Sequence, residues 1–140
     1  MKIGHIENGI VLDHITAGNG MNIYNVLNLG KLDCTVALIK NADSPKMGKK
    51  DIIKISTHLD IDTDILGYLD PGVTVNIIHD GVVAERRTLT LPQKVVGVIQ
   101  CKNPRCITSV EREIVHEFKL TDPAKKIYRC IYCEQAASRR

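Results

Sequence analysis

The sequence predicts an α+β protein in two parts, a sheet covered on one face by two helices and then a small all-β unit. Three observations carry this prediction. Short apolar runs flank Asn8-Gly9 and Asp80-Gly81, dipeptides that supply the positive φ of a tight hairpin turn. Between these hairpins lie two stretches with apolar residues at helical spacing. Near the C-terminus Cys101, Cys106, Cys130 and Cys133 fall as C-x4-C, 23 intervening residues and C-x2-C.

In chain order, residues 2–7 and 10–14 read as the first hairpin, and Thr16 to Gly20 as a loop. Ile23, Val26 and Leu27 fall at i, i+3 and i+4, with Gly30 placed as a helix C′ residue. Residues 34–40 are apolar enough for a buried strand, Asn41 to Gly48 read as a loop, and Lys49 to Ile55 as a strand with a basic edge. Ile61, Ile65, Leu66 and Leu69 form a second helical stripe, with Asp60 as N-cap and Pro71-Gly72 as the stop. Val73 to His79 and Val82 to Arg87 then make a hairpin of type I′. This order of hairpin, helix, strand, strand, helix, hairpin suits a ferredoxin-like sheet over residues 1–93. Thr88 to Lys94, with Pro92, is the expected joint to a second domain over 94–140, in which Ile114 to Leu120 and Ile127 to Tyr132 are the strands.

At 44% hydrophobic and 25% charged residues the chain has the composition of a globular protein, and no stretch is apolar enough for a membrane span. The basic residues are unevenly placed. Residues 1–93 hold 9 Lys and Arg against 11 Asp and Glu, and residues 94–140 hold 10 against 5. A zinc-ribbon nucleic-acid module is therefore an alternative reading of the C-terminal third. The formal charge of +3 falls to about +1 once four thiols become thiolates around one Zn²⁺, which is no nucleic-acid-binding balance for the whole chain.

Two close thiol pairs joined by a hairpin-length segment suit a tetrahedral four-sulfur site, so Cys101, Cys106, Cys130 and Cys133 read as ligands of one structural zinc. Iron in a rubredoxin-like site is the other metal such a set accepts. Disulfides are the competing use. They need an oxidising compartment, whereas the start Met1-Lys2-Ile3-Gly4-His5 has no apolar leader and the cysteine count of 5 is odd, with Cys34 reading as a small buried hydrophobe. Four sulfurs fill the coordination sphere, so the metal is expected to hold a fold rather than catalyse.

Outside the cysteines, Lys46, Lys49, Lys50 and Lys54 lie close together, and would join His14 and Arg86-Arg87 if the two hairpins are neighbours. Convergent cations of this kind could hold a polyphosphate, with a carboxylate such as Asp13 accepting from ribose hydroxyls. A solvated lysine edge guarding the sheet against aggregation is the simpler use of such a run. The chain has no G-x-S-x-G, Walker A or H-E-x-x-H, and His58, His79 and His116 are scattered, expected at the surface or in turns.

Taken in order, Val11 to Ile15, Met47 to Ile55, Thr74-Val75-Asn76-x-Ile78, Leu91-Pro92 and the two cysteine pairs, the last as Cys130-Ile131-Tyr132-Cys133-Glu134, resemble the regulatory chains of aspartate carbamoyltransferase over nearly the whole sequence. The resemblance implies a non-catalytic, cytoplasmic chain of pyrimidine biosynthesis that forms a dimer with itself. Three such dimers would bridge two catalytic trimers. Its N-terminal domain would bind nucleoside triphosphates, CTP and ATP with UTP as a third candidate, and its zinc domain would dock on catalytic chains. By motif, Asp13 would contact the ribose, His14 and Arg86 the triphosphate, and Lys54 the ribose and base. Backbone groups near His5, Ile6 and Gly81 would read the base. Lys50 would add charge on the phosphate side, and Val11, Ile52, Asn76, Ile78 and Val83 would line the pocket. Arg86 stands where such chains usually have Lys.

Overall fold

The computed structural model describes residues 6–137, and the chain divides into two compact units, Met1–Thr90 and Leu91–Arg140. The first contains β1 (Gly9–Thr16), α1 (Gly20–Val26), a 3-10 turn (Leu29–Lys31), β2 (Val36–Ser44), β3 (Gly48–Ile55), α2 (Thr63–Leu69), β4 (Thr74–His79) and β5 (Val82–Thr88). The strands form one antiparallel sheet in the order β2-β3-β1-β4-β5. Its first four members follow the split βαβ arrangement, and β5 extends the edge beside β4.

Alternation along the strands divides the side chains between two faces. Ile10 and Leu12 of β1, Ile53 and Ile55 of β3 and Val75 of β4 are buried with Ile23 of α1 and Leu66 of α2, so the helices cover this face. Val11, Asp13, Ile52, Lys54, Asn76 and Ile78 alternate with those residues and belong to the other face. The expected α+β sheet with two helices is what forms.

Several boundaries differ from expectation, each for a local reason. Both flanks of β1 are taken by β3 and β4, and most of the strand expected over residues 2–7 lies outside the described residues. Residues 1–5 lie outside the described part, and Ile6 to Asn8 are not strand. Gly9 marks a close approach instead: at φ 153°, any Cβ would sit 2.0 Å from the Ile55 carbonyl oxygen. Gly30 is not the helix C′ residue, since Asn28 takes the left-handed conformation (φ 56°) and Gly30 falls inside the 3-10 turn. Strand β2 is a half-exposed edge rather than a buried strand, and runs on to Ser44 through an irregularity between Ile39 and Ala42, where Asn41 has φ 57°. The cap of α2 is Asp62, whose carboxylate accepts from the Asp64 and Ile65 amides, not Asp60. The Asp80-Gly81 turn has positive φ at both residues (49° and 79°), as a type I′ turn requires.

The second unit has β6 (Lys94–Val96), the short α3 (Ile107–Val110), β7 (Glu117–Asp122) and β8 (Ile127–Cys130), paired in the order β6-β7-β8. Val95, Phe118 and Tyr128 are its buried hydrocarbon, and the Tyr128 hydroxyl donates to the Pro92 carbonyl at 2.7 Å. Strand β7 starts three residues later than expected, and β8 ends at Cys130 because the next residues turn around the cysteines. Among the described residues no helix is long and apolar enough to cross a membrane.

Candidate functional site

Two sites emerge, one in each unit. The first is on the sheet face that the helices leave uncovered. Register aligns Lys54, Val11, Asn76 and Arg86 in a single row across β3, β1, β4 and β5. At about 4.8 Å per strand, the two cations stand on strands about 14 Å apart, with an amide and an apolar side chain between them. A cavity of about 350 Å³ lies over this row. Ile6, Val11, Ile52, Ile78 and Val83 form its apolar walls, while Asp13, Lys54, Asn76 and Arg86 supply polar groups beside Gly81.

The polar groups are held by one another. Arg86 Nε donates to Asn76 Oδ1 at 3.0 Å, which fixes the guanidinium along the row. Lys50 Nζ lies 3.0 Å from Asp13 Oδ1. Burial alone would raise the Asp13 carboxyl, but the Lys50 ammonium and the His14 amide together hold it below its usual value of 3.8. His14 sits where the β1 register breaks between Leu12 and Ile15, in the left-handed region at φ 59°. There its Nδ1 meets Thr74 Oγ1 at 3.2 Å, which leaves Nε2 for another partner.

Of the expected residues, Ile6, Val11, Asp13, Ile52, Lys54, Asn76, Ile78, Gly81, Val83 and Arg86 come together around this cavity. Lys50 and His14 adjoin it through Asp13, and His5 lies outside the described residues. The four lysines do not act as one cluster. Lys49 pairs with Asp43, Lys46 is exposed in the β2–β3 turn, and only Lys50 and Lys54 alternate onto the pocket face. The strand that forms from the first expected hairpin, β1, does pair directly with β4 of the second, which brings His14 and Arg86 to the same part of the sheet. Arg87 alternates away from Arg86 and pairs with Glu85 at 2.9 Å.

Two buried carboxylates that the sequence reading passed over hold the connection from β1 to α1. Asp51 Oδ2 accepts from the Gly18 and Gly20 amides at 3.0 and 2.9 Å, and its Oδ1 from the Asn41 amide at 3.0 Å. Asp70 Oδ2 accepts from the Thr16 amide at 2.7 Å. Asp51 could have been noticed, because it is an acidic residue in phase with Ile53 and Ile55 on the core side of β3.

The second site is the four-cysteine cluster. All four Sγ atoms lie within 4.8 Å of one another, with Cys101 and Cys133 at 3.6 Å and Cys106 and Cys130 at 3.7 Å. A tetrahedron with metal–sulfur bonds of about 2.3 Å has edges of about 3.8 Å, so the set fits a four-coordinate thiophilic ion. These distances exceed a disulfide bond, and all five cysteines are free. Cys34 packs half-buried against the hydrophobic core of the first unit.

The scaffold around the sulfurs is specific. The Cys101 amide donates to His116 Nδ1 at 2.9 Å, so His116 supports a ligand rather than lying idle in a turn. The Thr108 hydroxyl donates to Cys106 Sγ at 3.1 Å and draws that thiol down to about 7, whereas burial pushes Cys101 up to about 12. At neutral pH a cation has to displace protons to gather four thiolates here.

The sequence as a whole matches two family models. One is described as aspartate carbamoyltransferase regulatory chain, allosteric domain, over residues 1–90, and the other as aspartate carbamoyltransferase regulatory chain, metal binding domain, over residues 93–140. Among its relatives, the aspartate carbamoyltransferase regulatory chain of Clostridium tetani is 52% identical over 96% of this chain and 94% of its own length. That of Clostridium acetobutylicum is 51% identical over 96% and 92%. The more distant chain of Bifidobacterium longum is 41% identical over 98% and 99%.

Proposed function

The chain belongs to the family of aspartate carbamoyltransferase regulatory chains, and from that premise we propose that it is a non-catalytic subunit binding CTP, ATP or UTP on its uncovered sheet face. The observation that carries this reading is the Lys54–Val11–Asn76–Arg86 row with Asp13, His14 and Lys50 at one side. Nucleoside triphosphates need separated cationic donors for phosphates, an acceptor for ribose hydroxyls and an apolar surface for a base. Arg86 and His14 would take phosphates, Asp13 a ribose hydroxyl and Lys54 the ribose and base. Backbone groups near Ile6 and Gly81 would read the base edge, with His5 as an expected contributor. Lys50, tied to Asp13, keeps that carboxylate ionised and adds charge toward the phosphates.

The C-terminal domain, residues 94–140, would hold one structural zinc ion in Cys101, Cys106, Cys130 and Cys133 and dock on catalytic chains. Closed four-sulfur coordination supplies folding free energy rather than a reactive water. Regulatory dimers, three of them bridging two catalytic trimers, would then pass the effector's signal onward in the cytoplasm, within pyrimidine biosynthesis. Such control requires the nucleotide to bind one quaternary state more tightly than the other.

Calorimetric titration of the metal-loaded chain with CTP, ATP and cytidine tests the pocket. Saturable binding that needs the phosphates, and that weakens at least tenfold in Lys54→Ala, is the expected result. Equal binding of cytidine and CTP, or no change in the variant, would remove the nucleotide reading.

A further inference from the structure

The three-stranded sheet of the second unit carries a second, distinct charge arrangement. Its register sets Lys94 of β6 opposite Lys119 of β7, and Lys119 opposite Arg129 of β8. Directly opposed residues of antiparallel strands share a face, so three cations stand abreast, about 10 Å from first to last. The other face takes Val95, Phe118 and Cys130, all buried.

Like charges directly opposite each other work against the fold. Among the described residues, neither Lys94 nor Lys119 has a carboxylate within ion-pair distance. Arg129 Nη1 donates to a neutral acceptor, the Glu134 carbonyl, at 3.1 Å. Glu117 shares the face through its pairing with Val96, and Glu134 borders it, yet neither forms an ion pair with the row. Beside the row a cleft of about 390 Å³ opens between Lys119, Thr121, Arg129, Ile131 and Glu134. Val96 and Ile131, 48% and 41% exposed, put hydrocarbon next to the charges. A basic row flanked by exposed aliphatic side chains has the mixed character of a protein interface.

We propose that this face is a docking surface for an acidic segment of the catalytic chain, with Lys94, Lys119 and Arg129 receiving its carboxylates and Val96 and Ile131 its apolar neighbours. The inference rests on the regulatory-chain reading above and adds to it the face used and the chemistry of its partner. Carboxylates would relieve the repulsion built into the row, so the cost in the free chain becomes selectivity for an acidic partner.

The test is reconstitution of the full-length, metal-loaded chain with the catalytic subunit from the same source, followed by analytical ultracentrifugation and stopped-flow association at low and high salt. The variants are Lys94→Gln/Lys119→Gln/Arg129→Gln together, the Lys94→Gln and Lys119→Gln singles, and Lys125→Gln in the β7–β8 turn as a control. The triple variant should bind at least a hundredfold more weakly and each single about tenfold, with association slowed and its salt dependence flattened, while Lys125→Gln matches wild type. The triple variant should also keep its metal and unfold at an equal or higher urea midpoint, because the repulsion is gone; a purely structural role predicts a lower one. Wild-type affinity in the triple variant, or loss of its metal or stability, would overturn the inference. So would RNA binding by wild type that the triple variant loses while its assembly stays intact. If wild type fails to bind the catalytic subunit at any salt concentration, the regulatory-chain reading itself falls, and that is seen before any variant is compared.

Discussion

The two units keep their folds by different means. In the first, ten buried aliphatic residues from β1, β3, β4, two helices, the 3-10 turn and Val73 just before β4 close a core, and the carboxylates of Asp51 and Asp70 tie the connecting loop to it. In the second, Val95, Phe118 and Tyr128 are the main buried hydrocarbon and the cysteines occupy the centre. A unit of 50 residues with so small a core needs a staple. The difference places ligand-independent stability where an effector would bind and metal-dependent stability where a partner would dock.

The largest effect should come from the metal site. Chelation removes on the order of 10 kcal/mol of apparent folding free energy from a unit of this kind. Cys130→Ser should act in the same direction by breaking the four-sulfur set. Amide exchange should then show β6–β8 unprotected and β1–β5 still protected; protection retained in both units would mean that the small core suffices.

Next in size is Asp51→Ala, which leaves the Gly18, Gly20 and Asn41 amides without their acceptor and should cost the first unit about 3 kcal/mol. Urea unfolding followed by probes in each unit checks this, with no change expected in the cysteine-bearing unit. A shift in both transitions would show that they are one cooperative fold.

Asp13 gives a smaller, pH-dependent effect. Its folded-state value is depressed below 3.8, so its stabilising contribution is fully present above the unfolded value and is lost as pH falls through the folded one. Asp13→Asn should therefore lower the stability of the first unit near neutrality and flatten its decline below about pH 4. Partial solvent screening keeps the change modest. An acid limb unchanged in Asp13→Asn would assign that decline to other carboxylates.

What could be read from the chain follows from how local each signal is. Asp80-Gly81 specifies its turn within two residues, and four cysteines at short spacings specify a cluster whatever the strands do. The alternation of Lys54 with Ile53 and Ile55 places the lysine on the face opposite the core. Asn8-Gly9 misled because its glycine answers a tertiary demand, the passage of β1 over Ile55, rather than a turn. Asp60 and Asp62 are equally good caps in isolation, and the choice between them depends on where the chain enters the core. Thr74 and His116 were missed for the same reason, since each acts on a residue that only folding brings near; Thr108 lies two residues from Cys106, and spacing alone does not show that its hydroxyl turns toward the sulfur.

The division of labour between the units is tested most directly by titrating CTP into the metal-loaded and the chelated protein, with catalytic subunit added to a portion of each. The expected result is the same CTP affinity with and without metal, and assembly with the catalytic subunit only when the metal is present. Loss of CTP binding on chelation, or assembly without the metal, would contradict it.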